Sequence, residues 1–228
     1  MSDQSDPLEW RETALGAVPV SSRFDDPFYS LAGGLDETRH VFLAGNDLPA
    51  RFAGGFHIAE LGFGTGLNLF TAILAWRKAG LDGTLHFTSF EAFPMSATDM
   101  AAAHAAFPEI APLTGPFLSQ WDLGRRSFEV APYVRLNVIL GDVQATLPDW
   151  TGQADAWFLD GFSPAKNPQM WSAEVLAAVG AHTRPGGTAA TYTAAGHVRR
   201  ALQDAGFEVE RTPGYGSKRH MTRARMPR

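Results

Sequence analysis

From residue 56 onward, short apolar runs typical of strands alternate with longer segments that have helical spacing. The predicted strands are 56–61, 85–90, 134–140, 156–159 and 188–193, followed by a final pair at 207–211 and 218–224. The predicted helices are 67–79, 96–107, 172–182 and 195–205. This alternation produces βαβ units, which assemble into a mostly parallel sheet with helices on both faces. We therefore expect an α/β fold with a doubly wound sheet.

The first 55 residues lack this alternation. Within them, Asp36 and Glu37 predict the start of a short helix that runs through Leu43 and ends at Gly45-Asn46. The 228 residues, 45% of them hydrophobic, suit one domain with a short extension. We expect residues 1–55 to form an N-terminal extension packed on a main domain of residues 56–228.

Composition excludes several classes of protein. The chain has no cysteine, which excludes disulfides and thiolate metal sites, and its seven histidines form no metal-binding pair, so we expect no metal. Acidic residues near the start argue against a secretory signal, and no apolar run is long enough to span a membrane. We expect a cytoplasmic protein that does not associate with membranes.

Charge is distributed unevenly along the chain. The net charge is −5, yet residues 184–228 hold nine Lys and Arg against three Asp and Glu, which leaves a net +6 there. This basic segment predicts either a surface that binds phosphates or an ordinary solvated face. Charge alone does not choose between the two.

Carboxylates follow four successive predicted strands. Glu60 precedes the glycine turn GFGTG (62–66), Glu91 ends the second strand, and Asp142 and Asp160 follow the third and fourth. Glycines in such a turn let the backbone approach a ligand. Ligands bind at the carboxyl ends of the strands in these folds, so the four acids predict a site at one edge of the sheet. Each acid taken singly is also explained as the cap of a local turn.

The segment after the fourth strand has the composition of a rigid loop. Asp160 is followed at once by a glycine, an aromatic ring and a proline, in the run LDGFSPAKNP (159–168). Prolines restrict the loop, and function concentrates on loops that are held rigidly. We therefore expect Asp160 to belong to a functional site.

This arrangement resembles the class I S-adenosylmethionine-dependent methyltransferases, which have a Rossmann-like fold. The resemblance implies that Gly62, Gly64 and Gly66 pass under the methionine part of the cofactor, that Glu91 binds its ribose, and that Asp142 contacts its adenine. It also implies a cofactor site that includes Glu60, Leu67, Asn68, Val143, Asp160 and Phe162. Asn68 is expected either to bind the cofactor carboxylate at the start of a helix or to play a simple helix-end role.

Five segments together resemble a narrower family, the methyltransferases that complete 5-methylaminomethyl-2-thiouridine at the wobble position of certain tRNAs. The segments are FDDPFYS (24–30), GLDETRHVFLAGN (34–46), ELGFGTGLN (60–68), LDGFSPAKNP (159–168) and GYGSKRHM (214–221). The resemblance implies methyl transfer to a primary amine, with the tRNA anticodon loop as partner. Many members carry a fused flavin-dependent oxidase, for which this sequence has no room. We therefore expect a stand-alone form, with a separate enzyme supplying the aminomethyl group.

In that reaction Asp160 is the candidate catalytic residue, since a carboxylate there would orient the amine and accept its proton. Phe162 is expected to wall the pocket or to stack on the base, with Tyr29 as a second wall residue unless it is simply a core tyrosine. Lys166, Lys218 and Arg219 are candidates for contacts to tRNA phosphates, although each is equally explained as a solvated surface charge.

Three other functions compete with this hypothesis. The first is a methyltransferase of the same fold whose acceptor is a small-molecule or protein amine. A nicotinamide-dependent oxidoreductase is disfavoured because Leu67 stands where the third glycine of the dinucleotide fingerprint belongs. A non-catalytic RNA-binding module is disfavoured by the complete set of four carboxylates.

Overall fold

The computed structural model describes residues 8–13, 16–30 and 33–228, and it contains two sheets. The small sheet lies in the N-terminal segment and consists of three antiparallel strands, β1 (Leu8–Thr13), β2 (Gly16–Ser21) and β3 (Asp26–Pro27). This sheet was not predicted from sequence patterns, because β1 has no alternation of buried and exposed residues and β3 is two residues long.

The main sheet has eight strands in the order β10-β11-β9-β8-β4-β5-β7-β6. The five central strands, β9, β8, β4, β5 and β7, are parallel to one another. Strands β6, β10 and β11 are antiparallel and lie at the two edges. The strands are β4 (His57–Leu61), β5 (Leu85–Glu91), β6 (Ser127–Ala131), β7 (Val134–Leu140), β8 (Ala154–Leu159), β9 (Thr183–Thr191), β10 (Glu208–Pro213) and β11 (His220–Arg225). The expected mostly parallel, doubly wound sheet is confirmed.

Seven α-helices accompany the sheets in the described part of the chain. They are α1 (Gly34–Thr38), α2 (Leu67–Ala79), α3 (Ala97–His104), α4 (Ala111–Asp122), α5 (Val143–Thr146), α6 (Ala173–Ala181) and α7 (Gly196–Asp204). After α1 the chain continues through a π-helical turn (Arg39–Leu43) and a 3-10 turn (Ala44–Asn46), so the short helix expected at 36–43 extends further than predicted. None of the helices that the structure describes is long and apolar enough to cross a membrane.

The chain changes direction across the sheet at β4. It proceeds from β4 to β5 on one side and later returns to place β8 on the other side. In the register of these parallel strands, Leu61 of β4 lies beside both Phe90 of β5 and Leu159 of β8. The residues that follow these three positions therefore leave the sheet at the same level, at the switch point where α/β folds bind ligands.

Strand β8 is buried on both faces of the sheet. Trp157 and Leu159 belong to the core on one face, while Phe158 belongs to the core on the other. This is why residues 156–159 of β8 form a continuous apolar run instead of an alternating one. The N-terminal segment completes the second core, since Phe42 stacks on Phe158 with ring centroids 5.4 Å apart. The boundary proposed at residue 55 stays a prediction.

Helices α4 and α5 and strand β6 were missed in the sequence. Helix α4 contains Pro112, Gly115 and Pro116, and such residues argue against a helix in a sequence-based reading. Tertiary packing overrides this propensity, because Leu113, Phe117 and Trp121 of α4 are buried in the core. Helix α5 is only four residues long.

Candidate active site

A cavity of about 670 Å³ lies at the carboxyl edge of the main sheet, over the ends of β4, β5 and β8. The residues predicted for the site that line this cavity are Tyr29, Gly62, Gly64, Leu67, Asn68, Glu91, Asp142, Val143, Asp160, Phe162 and Lys218. The structure thus brings eleven predicted residues together around one space, although they come from six separate segments of the chain.

The loop after β8 is fixed by its backbone. Gly161 has a φ of 122°, a left-handed conformation that favours glycine. The Tyr192 hydroxyl donates to the Gly161 carbonyl oxygen (2.9 Å), and the Trp171 indole N–H donates to the Phe162 carbonyl oxygen (2.8 Å). These bonds hold the two peptides that follow Asp160, so its carboxylate is held in place at the cavity wall.

Asp160 accepts two hydrogen bonds in the cavity wall. The Gly161 N–H donates to its Oδ1 (2.8 Å) and the Asn68 side-chain amide donates to its Oδ2 (2.7 Å). Burial is the main reason that the pKa of Asp160 is raised to about 6. The negative charge of Glu37 adds to the rise, whereas the two hydrogen bonds and Lys218 oppose it. The carboxyl is therefore ionised at neutral pH yet basic enough to accept a proton.

Asn68 joins the two acids of the site. Its side-chain amide donates to Glu60 Oε1 (2.8 Å) as well as to Asp160, and its Oδ1 accepts from the Thr38 hydroxyl (2.9 Å). Both N–H groups of the amide are thereby used. A contact between Asn68 and a cofactor carboxylate, which the sequence suggested, would require one of these bonds to break, so the structure favours Asn68 as a positioning residue for Asp160.

Glu60 lies behind Asn68 and outside the cavity lining. It is fully buried, and Ser89 donates a hydrogen bond to its Oε2 (2.7 Å). Burial raises the pKa of Glu60 well above its usual range, which favours the neutral form of its carboxyl. Instead of facing a ligand, Glu60 supports Asn68 from below.

The glycine turn is braced from two sides. The Gly64 N–H donates to Glu91 Oε2 (2.9 Å), and the Phe93 N–H donates to the other oxygen of Glu91 (2.7 Å). The ring of the buried His104 lies against the Thr65 carbonyl oxygen (2.7 Å), which accepts, so its Nε2 carries the proton. Burial raises the pKa of Glu91 above its usual value, and the backbone N–H groups oppose the rise.

Backbone in the glycine turn runs close to its neighbours. A Cβ at Gly62 would lie 3.3 Å from the Gly161 Cα, and a Cβ at Gly64 would lie 3.3 Å from the Phe28 ring. Both residues have positive φ angles, 76° and 53°, and both line the cavity. Gly66 is the N-cap of α2, where its φ of 76° is required, but it does not line the cavity.

Asp142 caps helix α5. Its Oδ1 accepts a hydrogen bond from the Gln144 N–H (2.9 Å), and its side chain is exposed at the rim of the cavity. The capping alternative considered for single acids therefore holds for Asp142. Because Asp142 also lines the cavity, the cap leaves the carboxylate close to any ligand there.

Phenylalanines form one wall of the cavity. Phe162 stacks on Phe24 with centroids 4.7 Å apart and meets the edge of Phe28 at 5.1 Å. Phe93 lies 6.0 Å from Phe24. Phe24 and Phe28 belong to the N-terminal segment, so that segment covers the site. Aromatic faces of this kind hold planar rings.

Tyr29 follows Phe28 directly in the N-terminal segment. Its ring meets the edge of Phe107 at 5.1 Å, and burial raises the pKa of its hydroxyl to about 12. The side chain both contacts the core and lines the cavity. The two roles considered for Tyr29 are thus compatible.

The three predicted cations have different environments. Lys166 contacts Asp25 and Asp26 of the N-terminal segment, and the Ser163 N–H donates to Asp26 as well (2.8 Å), so this loop is tied to the segment that covers it. Arg219 is exposed and does not line the cavity. Phosphate contacts at Lys166 and Arg219 stay predictions.

Lys218 lies in the cavity wall. Its ammonium forms an ion pair with Glu37 (2.8 Å) and lies 4.0 Å from the centroid of the Tyr192 ring. Glu37, Tyr192 and Phe24 were not identified as site residues in the sequence. Phe24 and Glu37 lie in two of the segments that carry the family resemblance, but the resemblance assigned them no role. Tyr192 lies in no such segment, and all three reach the cavity through tertiary packing.

S-adenosylmethionine fits this site. The cavity volume suits a ligand of this size, the two lining glycines leave space that side chains would fill, and carboxylates at the ends of β5 and β7 suit its hydroxyl and amine groups. Among residues 8–13, 16–30 and 33–228, no group of three or more acidic or histidine side chains could hold a metal ion.

Comparisons with known proteins agree with this geometry. Residues 108–227 match a family described as S-adenosyl-L-methionine-dependent methyltransferase. The chain is 44% identical over 240 residues to the tRNA 5-methylaminomethyl-2-thiouridine biosynthesis bifunctional protein MnmC of Caulobacter sp. strain K31, which covers 100% of this chain and 39% of that protein. The protein of the same name from Chromobacterium violaceum is 45% identical over 228 residues, 94% of this chain and 34% of that protein.

A solved structure shares the whole fold. The crystal structure of MNMC2 from Aquifex aeolicus aligns with a TM-score of 0.78 at 25% identity, over 98% of this chain and 73% of that chain. The chain spans only 34% to 39% of the length of the two curated relatives, so it corresponds to one part of those bifunctional proteins.

Proposed function

Since this chain belongs to the family of S-adenosyl-L-methionine-dependent methyltransferases, we propose that it methylates the primary amine of 5-aminomethyl-2-thiouridine at the wobble position of tRNA. The product is 5-methylaminomethyl-2-thiouridine. The names of the curated relatives support the substrate, and the resemblance of the loop at 159–168 supports the same reaction. The observation that carries the proposal is the Asp160 carboxylate, which two hydrogen bonds hold in the cavity wall.

We assign cofactor binding to residues at or just after the carboxyl ends of β4, β5, β7 and β8. The glycine turn would lie along the methionine part, Glu91 would bind the ribose hydroxyls, and Asp142 with Val143 would contact the adenine. Leu67 and Phe162 would enclose the cofactor from the sides. When bound, S-adenosylmethionine supplies an electrophilic methyl group on a sulfonium.

Asp160 is the proposed catalytic residue. Its two oxygens retain lone pairs beyond those that Asn68 and Gly161 use, so the carboxylate has room to accept a hydrogen bond from the acceptor amine. That bond would orient the nitrogen lone pair toward the methyl carbon. The N–C bond would form as the S–C bond breaks, and the proton that the amine loses would pass to Asp160 and from there to solvent.

The wall of phenylalanines is the proposed site for the base. A wobble uridine must leave its stack to reach an enclosed cavity, and an aromatic face is the usual surface on which such a base is held. Phe162 lies two residues after Asp160 and lines the cavity, so a base stacked there would bring its aminomethyl group near the carboxylate. Tyr29 would form a more distant part of this wall.

We propose that the anticodon loop lies on the rim of the cavity, with Lys166 and Arg219 close to its phosphates. The basic segment 184–228 supports this placement, because it includes β10, β11 and the loop between them, whose Lys218 lines the cavity. This function places the enzyme in the cytoplasm with its tRNA substrate, and a separate activity would supply the aminomethyl group.

A labelling experiment tests the proposal. Purified protein with methyl-labelled S-adenosylmethionine is expected to label tRNA that bears 5-aminomethyl-2-thiouridine and to leave fully modified tRNA unlabelled. Equal labelling of both tRNAs would contradict the specificity, and no labelling of either by the folded protein would contradict the reaction. If only small amines or proteins are labelled, the acceptor is another amine.

A further inference from the structure

The Lys218–Glu37 ion pair is not used by the proposed reaction. It joins α1 to the loop between β10 and β11, and both side chains line the cavity. Only 12% of the Glu37 side chain is exposed, against 41% for Lys218. A pair with one largely desolvated partner contributes little to stability by itself, because desolvation offsets the Coulomb attraction. Its position in the cavity wall suggests a ligand.

Both members of the pair have capacity for further hydrogen bonds. An ammonium carries three donors, and the bond to Glu37 Oε1 uses one of them. A carboxylate has four lone-pair sites, so Glu37 can accept from a second donor. The Tyr192 ring, 4.0 Å below the ammonium, fixes its position by a cation–π contact. The pair therefore presents a positive and a negative group side by side.

The polar side chains beside the ion pair already use their hydrogen-bond donors on each other. The Asn68 amide is used by Glu60 and Asp160, and the Thr38 hydroxyl donates to Asn68. A ligand carboxylate close to the start of α2 would meet the ammonium of Lys218. Arg23 also lines the cavity, but its guanidinium lies against the ring of Phe93, 4.4 Å from the centroid. A ligand ammonium would meet Glu37.

An α-amino acid has a carboxylate and an ammonium on one carbon, which is the complement of an adjacent ammonium and carboxylate. S-adenosylmethionine carries such a group at the end of its methionine part. We propose that Lys218 and Glu37 form the subsite for this zwitterion, with Lys218 binding the α-carboxylate and Glu37 binding the α-ammonium. Without ligand, the two side chains neutralise each other. The inference rests on the proposed function only through its cofactor, so failure of tRNA methylation would leave it standing.

Three ligands distinguish binding of the α-carboxylate and the α-ammonium from binding of the rest of the cofactor. S-adenosylmethionine has both groups, decarboxylated S-adenosylmethionine keeps only the ammonium, and 5′-methylthioadenosine has neither. Their dissociation constants are measured by calorimetry, without acceptor, for the wild-type chain, Lys218→Met and Glu37→Gln. Lys78→Met serves as a matched control, because Lys78 is exposed in the last turn of α2 and does not line the cavity.

Lys218→Met is expected to weaken S-adenosylmethionine binding about tenfold or more, since a charge-assisted hydrogen bond is lost, and to change the other two ligands less than about twofold. Glu37→Gln is expected to weaken both ligands that carry the ammonium and to leave 5′-methylthioadenosine unchanged. Lys78→Met is expected to bind all three as the wild type does.

Two results would overturn the assignment. One is an equal loss for all three ligands in either variant, which would assign the pair a role in the fold alone. The other is unchanged binding of S-adenosylmethionine in both variants. The urea-unfolding midpoint of each variant shows separately whether the chain has folded, so an equal loss in a variant with a wild-type midpoint is not a failure to fold.

Discussion

Replacing Asp160 by asparagine should make the protein less active and should make it more stable relative to the wild type as the pH rises. The change keeps the shape of the side chain and removes its charge. In the folded chain, burial raises the pKa of Asp160 from the ordinary value of 3.8 to about 6, so the ionised carboxylate at neutral pH is less favourable than in the unfolded chain. An amide carries no charge penalty, but its NH2 group faces one of the two donors, Gly161 or Asn68, from which the carboxylate accepts. That loss costs about 1–3 kcal/mol at every pH, so the pH-dependent part of the change isolates the effect of the charge.

The size of the effect follows from the two pKa values. Because the folded state binds the proton more tightly, this group's contribution to stability is complete below pH 3.8 and is lost as the pH rises through about 6. At 1.36 kcal/mol per pKa unit, the loss reaches about 3 kcal/mol at pH 8 and only about 0.6 kcal/mol at pH 4. The stability advantage of Asp160→Asn should grow by the same amounts.

Urea unfolding at pH 4 and pH 8 measures this difference, with the free energy extrapolated to water. Asp142→Asn is the matched control, because Asp142 is exposed and caps α5, a position where asparagine caps equally well. We expect that variant to stay within about 0.5 kcal/mol of the wild type at both pH values.

Activity should move in the opposite direction. Loss of the proton acceptor is expected to slow single-turnover methyl transfer by about 10² to 10⁴, which is about 3 to 5 kcal/mol in the barrier. The reasoning is refuted if the stability of Asp160→Asn relative to the wild type does not rise between pH 4 and pH 8. Near-normal turnover would remove Asp160 from the chemistry.

Three further predictions concern the same site. Methyl transfer (kcat/KM) should rise with pH through about 6, because Asp160 must be ionised to accept the proton; a flat profile between pH 5 and 8 would contradict this. Glu91→Gln should weaken binding of S-adenosylhomocysteine about tenfold by calorimetry, as a charged acceptor for the ribose is lost, and unchanged affinity would exclude Glu91 from the cofactor site. Gly161→Ala should lower the free energy of unfolding by about 1–3 kcal/mol, because the φ of Gly161 is 122° and a Cβ there would lie 2.4 Å from the Met170 sulfur. The control is Gly124→Ala, where φ is 74° and a Cβ would meet open space, and it should cost less in the same urea titration. An equal cost for both variants would show that the contact with Met170 is unimportant.

The sequence was sufficient where local pattern determines structure. The bounds of α2 were predicted to the residue, because Gly66 and Gly80 flank an uninterrupted helical pattern. Strands β4, β5 and β7 were predicted within a residue or two for a related reason, since each is an apolar run that ends in an acid or a glycine. Those same ends place the glycine turn, Glu91 and Asp142 around the cavity.

Sequence patterns were insufficient where packing decides. Phe24 and Glu37 lie in a region without periodicity, and they reach the cavity because the N-terminal segment folds across the sheet edge. Sequence patterns also do not show that both N–H groups of the Asn68 amide are used. They donate to Glu60 in β4 and to Asp160 just after β8, which lie beside Asn68 only in the folded chain. Spacing along a chain does not contain that information.

The contact between Glu37 and Lys218 joins residues 181 positions apart. Closing so long a loop is entropically costly, and such contacts form only after the intervening strands have assembled. A growing chain would therefore complete its glycine turn and strand-end acids well before this pair can meet. The chain should therefore be able to bind the amino-acid end of the cofactor only late in folding, once the β10–β11 hairpin has docked beside β9.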